Sequence, residues 1–160
     1  MSIPFISNLR KLKNHWLSHD VKVNAGVSEA SLAAFEDKFN VFLPSDLYDY
    51  FRTMNGMAQD VTDDDSIRFW MLEEITTLPT GASDYASRNY IDNPESLFLF
   101  ADYSLWAHAY AIRLFPHSRL RNDIFIVGGD YPILLFRSFG ELIDSYLNNK
   151  QLMFSQSSPQ

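Results

Sequence analysis

Residues 27–57 read VSEASLAAFEDKFNVFLPSDLYDYFRTMNGM, and the apolar positions fall into two stripes. Leu32, Phe35 and Phe39 lie at i, i+3 and i+7, and Leu47, Tyr50, Phe51 and Met54 at i, i+3, i+4 and i+7. Each set occupies one face of an amphipathic helix. Ser28 stands where an N-cap hydroxyl belongs. Ser45 does the same for the second helix, with Asp46 complementing its positive end. Pro44 cannot continue the incoming helix, and Gly56 after Asn55 suits a left-handed C-cap. The pattern predicts two helices hinged at Leu43-Pro44, with Leu32, Phe35, Phe39, Tyr50, Phe51 and Met54 buried.

Pro4 suits a first helical turn, and Phe5, Leu9, Leu12 and Trp16 extend a helical stripe to about Ser18. Residues 67–72 read as a strand. Residues 97–100, a continuous apolar run, predict a strand covered on both faces. Tyr110, Ile112 and Leu114 alternate with Ala109, Ala111 and Arg113, as in a half-buried strand. Residues 124–127 and 133–136 are two further β runs joined by the tight turn Gly128-Gly129-Asp130-Tyr131-Pro132. Ser138 and Glu141 form a capping box for a last helix that buries Phe139, Leu142, Ile143, Tyr146 and Leu147. Residues 59–66 and 79–93 are polar connections. Helices gather early and late with strands consecutive between them, which predicts an α+β fold with a mostly antiparallel sheet. Residues 1–152 are expected to form one domain and 153–160 a flexible tail.

Composition narrows the chemistry. The 160 residues are 46% hydrophobic and 15% aromatic, which excludes disorder and predicts a core rich in rings. The absence of cysteine excludes disulfides, thiolate metal sites and cysteine nucleophiles. No signal-peptide pattern, no apolar run near the roughly 18 residues of a membrane span and no Asn-x-Ser/Thr sequon occur, so a soluble cytoplasmic protein is expected. Residues 1–22 balance to +3, residues 29–102 to −11 and residues 103–160 to +1, within a formal net charge of −7. So acidic a middle disfavours nucleic acid, whose phosphates require clustered Lys and Arg, and would steer a basic protein partner.

Candidate chemistry is sparse. His15 and His19, at i and i+4, could hold zinc, but no glutamate follows the first histidine and Lys11 and Lys13 repel a cation. An EF-hand loop counted from Asp60 fails at Asp65, where glycine is required, and at Met71, where glutamate is. Gly128-Gly129-Asp130 feeds a strand and not a helix, unlike a phosphate loop. Glu73-Glu74 and Asp102 have no nucleophile or metal ligand near them in sequence. The reading is of a non-enzyme without cofactor or metal.

Glu36 lies seven residues before Leu43-Pro44, and Asn55-Gly56 begins eleven after the proline. This arrangement resembles the SUKH superfamily of SMI/KNR-like domains, which takes in fungal cell-wall-assembly regulators and bacterial proteins that neutralise toxins. Phe69-Trp70-Met71-Leu72-Glu73-Glu74-Ile75 looks like the family's aromatic strand running into a short helix. Residues 97–112, LFLFADYSLWAHAYAI, look like its central hairpin, with Ala101-Asp102-Tyr103 at the turn. Residues 124–147 look like its last two strands and closing helix. The resemblance covers about residues 27–148 and implies that Glu36, Leu43, Pro44, Asn55, Gly56 and Trp70 serve the fold. It further implies a bacterial immunity protein that binds a polymorphic toxin, usually a nuclease, with a basic active site. The alternative is a regulatory scaffold of the cell-wall-assembly type that binds an endogenous protein. Asp60, Asp63, Asp64, Asp65 and Asp102 are then the acidic candidates for partner binding, and Tyr103 and Trp106 the anchors. Four acids within residues 60–65 are expected to be exposed.

Overall fold

The N-terminal stripe forms α1 (Ile3–Ser18), and Phe5, Leu9, Leu12 and Trp16 are all buried. In the computed structural model, residues 3–78, 92–117, 122–128 and 132–154 are described. Most of the expected connection over 79–93, the centre of the turn at 129–131 and the tail from 155 lie outside them. After α1 come β1 (Val23–Ala25), α2 (Glu29–Phe39), α3 (Ser45–Thr53), β2 (Met54–Met57) and β3 (Ile67–Phe69). A 3-10 helix (Leu72–Glu74) leads to β4 (Thr76–Thr77). Then follow β5 (Leu97–Tyr103), β6 (His108–Arg113), β7 (Ile124–Val127), β8 (Ile133–Phe136) and α4 (Phe139–Asn148), closed by a 3-10 turn (Lys150–Met153).

The main sheet runs β3-β5-β6-β7-β8, with β4 also on β5, and every pairing is antiparallel. β1 and β2 form a separate antiparallel pair. The fold is α+β, as the order of elements predicts. The helices cover one face of the sheet. There Trp16, Leu32, Phe51, Phe69, Phe100 and Phe139 belong to one core. On the opposite face Trp70, Leu78, Leu97, Leu99, Ala109, Ala111 and Val127 make a smaller cluster. β5 is thus buried on both faces, as its apolar run predicts. β6 is buried on both as well, where alternation predicted one. Its alanines are small enough to pack in the second cluster rather than face water.

The spacing that suggested the family has local causes. Ser28 caps α2 by accepting from Ser31 N at 3.1 Å. Asn40 ends the helix in the left-handed region (φ 52°), and the Glu36 carboxylate then accepts from Leu43 N at 2.7 Å. That bond fixes the approach to Pro44 and buries Leu43. Ser45 does not cap α3: Pro44 occupies the cap position, and Ser45 is already helical. Asp46 supplies the carboxylate instead, accepting from Leu47 N at 2.7 Å and from Gly140 N at 2.9 Å, so it joins the starts of α3 and α4. Phe39 and Leu147 are half-buried rather than fully so, while Leu32, Phe35, Tyr50, Phe51 and Met54 are buried as expected.

Gly56 also has a different reason from the one its sequence suggests. It lies inside β2, not at a helix end. Its φ is 63°, and an added Cβ would come within 2.4 Å of the Trp70 carbonyl oxygen. Asn55 beside it accepts from Leu72 N at 2.7 Å and donates to Glu73 Oε2 at 3.0 Å, docking the 3-10 helix on β2. Ala101, Asp102 and Tyr103 are not a turn. They are the end of β5, paired with Tyr110, Ala109 and His108, and the turn follows at residues 104–107. At the other end Met153 is fully buried and its carbonyl accepts from Tyr110 Oη at 2.9 Å, so the packed chain extends into the segment expected to be tail.

A candidate protein-interaction surface

Asp63 organises the acidic loop between β2 and β3. Its Oδ1 accepts from Asp65 N and Ile67 N, both at 2.9 Å. Its Oδ2 accepts from Tyr146 Oη at 2.5 Å and pairs with Lys150 Nζ at 2.9 Å. Tyr146 Oη in turn accepts from Trp16 Nε1 at 2.8 Å. Asp63 is therefore buried, contrary to the expectation of four exposed acids, because one carboxylate satisfies four donors from the loop, α4 and the closing turn. Burial, then the Asp63 carboxylate, pushes the Tyr146 pKa far above the usual tyrosine value. Burial alone would lower Lys150, but its bonds to Asp65 and Asp63 outweigh that and raise it.

With Asp63 as the pin, Asp60, Asp64 and Asp65 face solvent. Asp65 shares Lys150 at 2.6 Å, and Asp64 lies 3.9 Å from His19 Nε2. A cavity of about 240 Å³ on this side includes His15, His19, Asp63, Asp64, Asp65 and Lys150 in its walls. The imidazoles of His15 and His19 sit 4.3 Å apart. Among the described residues, no group of three or more His, Asp or Glu side chains is arranged to hold a metal ion.

The hairpin tip adjoins the other side of the loop, tied to it by Ser104 N donating to Ser66 O at 2.9 Å. Ser104, Leu105 and Trp106 all have positive φ, at 51°, 53° and 72°. Side chains adopt this region at a cost of order 1 kcal/mol each, and such strain gathers at functional positions. Its result is presentation: Leu105 is 88% exposed and Trp106 53% exposed. The Trp106 ring rests 4.7 Å from that of Trp70, whose Nε1 donates to Asp102 Oδ2 at 2.6 Å. Asp102 is thus buried at 5% exposure, below the surface where a partner-contacting residue was expected. Tyr103 is half-buried between His108 and Phe154.

The sequence-derived candidates consequently divide. Asp63, Asp64 and Asp65 face the histidine side, while Asp60, Asp102 and Trp106 share a second cavity with Arg68 and Glu74. Tyr103 lines neither. Sequence reasoning missed the Arg68–Glu74 ion pair at 2.6 Å, the exposure of Leu105 and the part played by Lys150. Only the Ser104-Leu105-Trp106 run, apolar at a turn, carried a visible signal.

In this chain the two amphipathic helices, the Glu36–Leu43 bond, the Asn55 dock and an antiparallel sheet closed by α4 form one arrangement. The sequence profile of the SMI1 / KNR4 family (SUKH-1) matches residues 26–145. The chain belongs to the SUKH-1 family. Its SUKH-1 region begins just before α2, yet α1 lies outside the match and supplies part of the same core. No curated protein matches the chain. Among the described residues of this SUKH-1 protein, no helix is long and apolar enough to cross a membrane.

Proposed function

We propose that this SUKH-1 chain is an immunity protein that binds a cognate toxin domain and neutralises it by covering a basic active site, without catalysis of its own. The observation that supports this reading is an exposed, strained Leu105-Trp106 tip that shares a cavity with Asp60 of the acidic loop, whose Asp64 and Asp65 face solvent on the loop's other side. Trp is the side chain most concentrated in binding hot spots, and exposed acids beside it accelerate encounter with a basic surface. A nuclease active site, which must attract phosphates, has the complementary charge.

Binding to the product of the neighbouring gene, measured at two salt concentrations, tests the proposal. Trp106→Ala should raise the off-rate and weaken affinity by about 2 kcal/mol or more. Replacing Asp60, Asp64 and Asp65 together with asparagine should slow association and flatten its salt dependence, with folding unchanged. Tight binding indifferent to both salt and these charges sinks the electrostatic mechanism. Binding of an endogenous, non-toxic protein instead of a toxin sinks the immunity role and favours a regulatory scaffold.

A further inference from the structure

The second cavity, of about 340 Å³, lies on the outer side of the sheet between the acidic loop, the Leu72–Glu74 turn and the hairpin tip. Its charges do not cancel. Arg68 is held by Glu74 through two bonds at 2.6 and 3.0 Å, and it also donates to the carbonyls of Ala58 and Met57. That cation is committed. Asp60 and Asp102 line the same cavity, and neither forms an ion pair among the described residues. Asp102 is buried and receives one neutral donor, the Trp70 indole, at Oδ2. Among the described residues no donor reaches its Oδ1, and Asp102 is one of the residues that line the cavity.

A buried carboxylate with one oxygen lacking a donor gains most from a charged donor. Beside it the free part of the Trp106 ring offers a flat π surface, backed by Trp70. A guanidinium satisfies both demands, since its plane stacks on indole while its fork of N–H groups reaches carboxylate oxygens. An ammonium can meet the charge but cannot stack as a plane. A cavity of about 340 Å³ has room for a single side chain.

We propose that this cavity receives one arginine side chain of the protein partner, stacked on Trp106 and hydrogen-bonded to Asp102 and Asp60. The inference rests on reading this face as the toxin-binding surface and names the chemistry by which it would be recognised.

The test uses the full chain and three capped tripeptides, Gly-Arg-Gly, Gly-Lys-Gly and Gly-citrulline-Gly, titrated while the tryptophan indole N–H resonances are followed by NMR. The arginine peptide should shift the Trp106 and Trp70 signals saturably. The citrulline peptide, nearly isosteric but uncharged, should bind at least tenfold more weakly, and the lysine peptide should fall between. Asp102→Asn, which can still accept from Trp70, and the exposed Asp60→Asn should each weaken the arginine response at least threefold. Asp37→Asn, at an exposed position of α2 that does not line the cavity, should leave it unchanged. Equal binding of arginine and citrulline, shifts that bypass Trp106, or indifference to both Asp102→Asn and Asp60→Asn would overturn the proposal. Toxin binding without an arginine response discards this cavity and keeps the immunity reading. An arginine response without toxin binding does the reverse.

Discussion

Tyr50 sits fully inside the core, ringed by Phe51, Phe69 and Phe139, and its hydroxyl has no hydrogen-bond partner among the described residues. Burial alone drives its pKa well above the ordinary tyrosine value. An unpaired buried hydroxyl costs about 1–3 kcal/mol, so Tyr50→Phe should leave stability unchanged or raise it by about 1 kcal/mol in urea denaturation. A loss of similar size would mean that the hydroxyl has an energetic partner. Gly56 presents the opposite case. An alanine there must hold a left-handed backbone and push into the Trp70 carbonyl, so Gly56→Ala should destabilise by about 2 kcal/mol or more by the same measurement. The sequence marked Gly56 as special, but local pattern pointed to a helix end. The true constraint is a strand-to-loop approach, and nothing local encodes which backbone will pass nearby.

Elements whose apolar period repeats were legible: α1, α2, α3 and α4 match their stripes, because one buried face suffices to specify a helix. What pattern could not give is where elements meet. Asp63 looked like one acid in a solvated run, and its partner Tyr146 is 83 residues away. The junction of α1, the acidic loop and the closing turn is where pH should act. Burial lowers the His15 pKa below 6.5, helped by His19 and Lys150 and opposed by Asp63 and Asp64, while the Tyr146 ring stands perpendicular to it with centroids 6.3 Å apart. A histidine with a depressed native pKa is neutral when folded and takes up its proton more readily when unfolded. Its share of stability is therefore complete above 6.5 and is lost as the pH falls below that value through the lowered native pKa. His15→Gln should weaken the decline in stability between about pH 7 and pH 5, measured by thermal unfolding at each pH. Parallel curves for the two proteins would show that other groups govern the acid limb.

For the molecule as a whole, the question is what the folding unit includes. The SUKH-1 match starts at residue 26 and would leave α1 as an appendage. Packing argues otherwise. Leu12 and Trp16 are fully buried, the Trp16 indole donates to Tyr146, and its ring lies 5.1 Å from that of Phe69 in the sheet. Tyr146 then binds Asp63, so α1 supports the loop that carries the exposed acids Asp60, Asp64 and Asp65. Removing a buried tryptophan alone costs about 3–5 kcal/mol, and loss of all four stripe residues would exceed the roughly 5–15 kcal/mol that holds a typical domain together. A chain beginning at residue 24 should fail to fold cooperatively, with dispersed amide signals lost and aromatic near-ultraviolet ellipticity collapsed. Trp16→Phe supplies a graded control: it keeps most of the ring packing but loses the bond to Tyr146, and should remain folded with a lower midpoint. If the shortened chain retains a sharp unfolding transition, the SUKH-1 core is complete without α1, and the support of the acidic loop must come from Lys150 and the backbone alone.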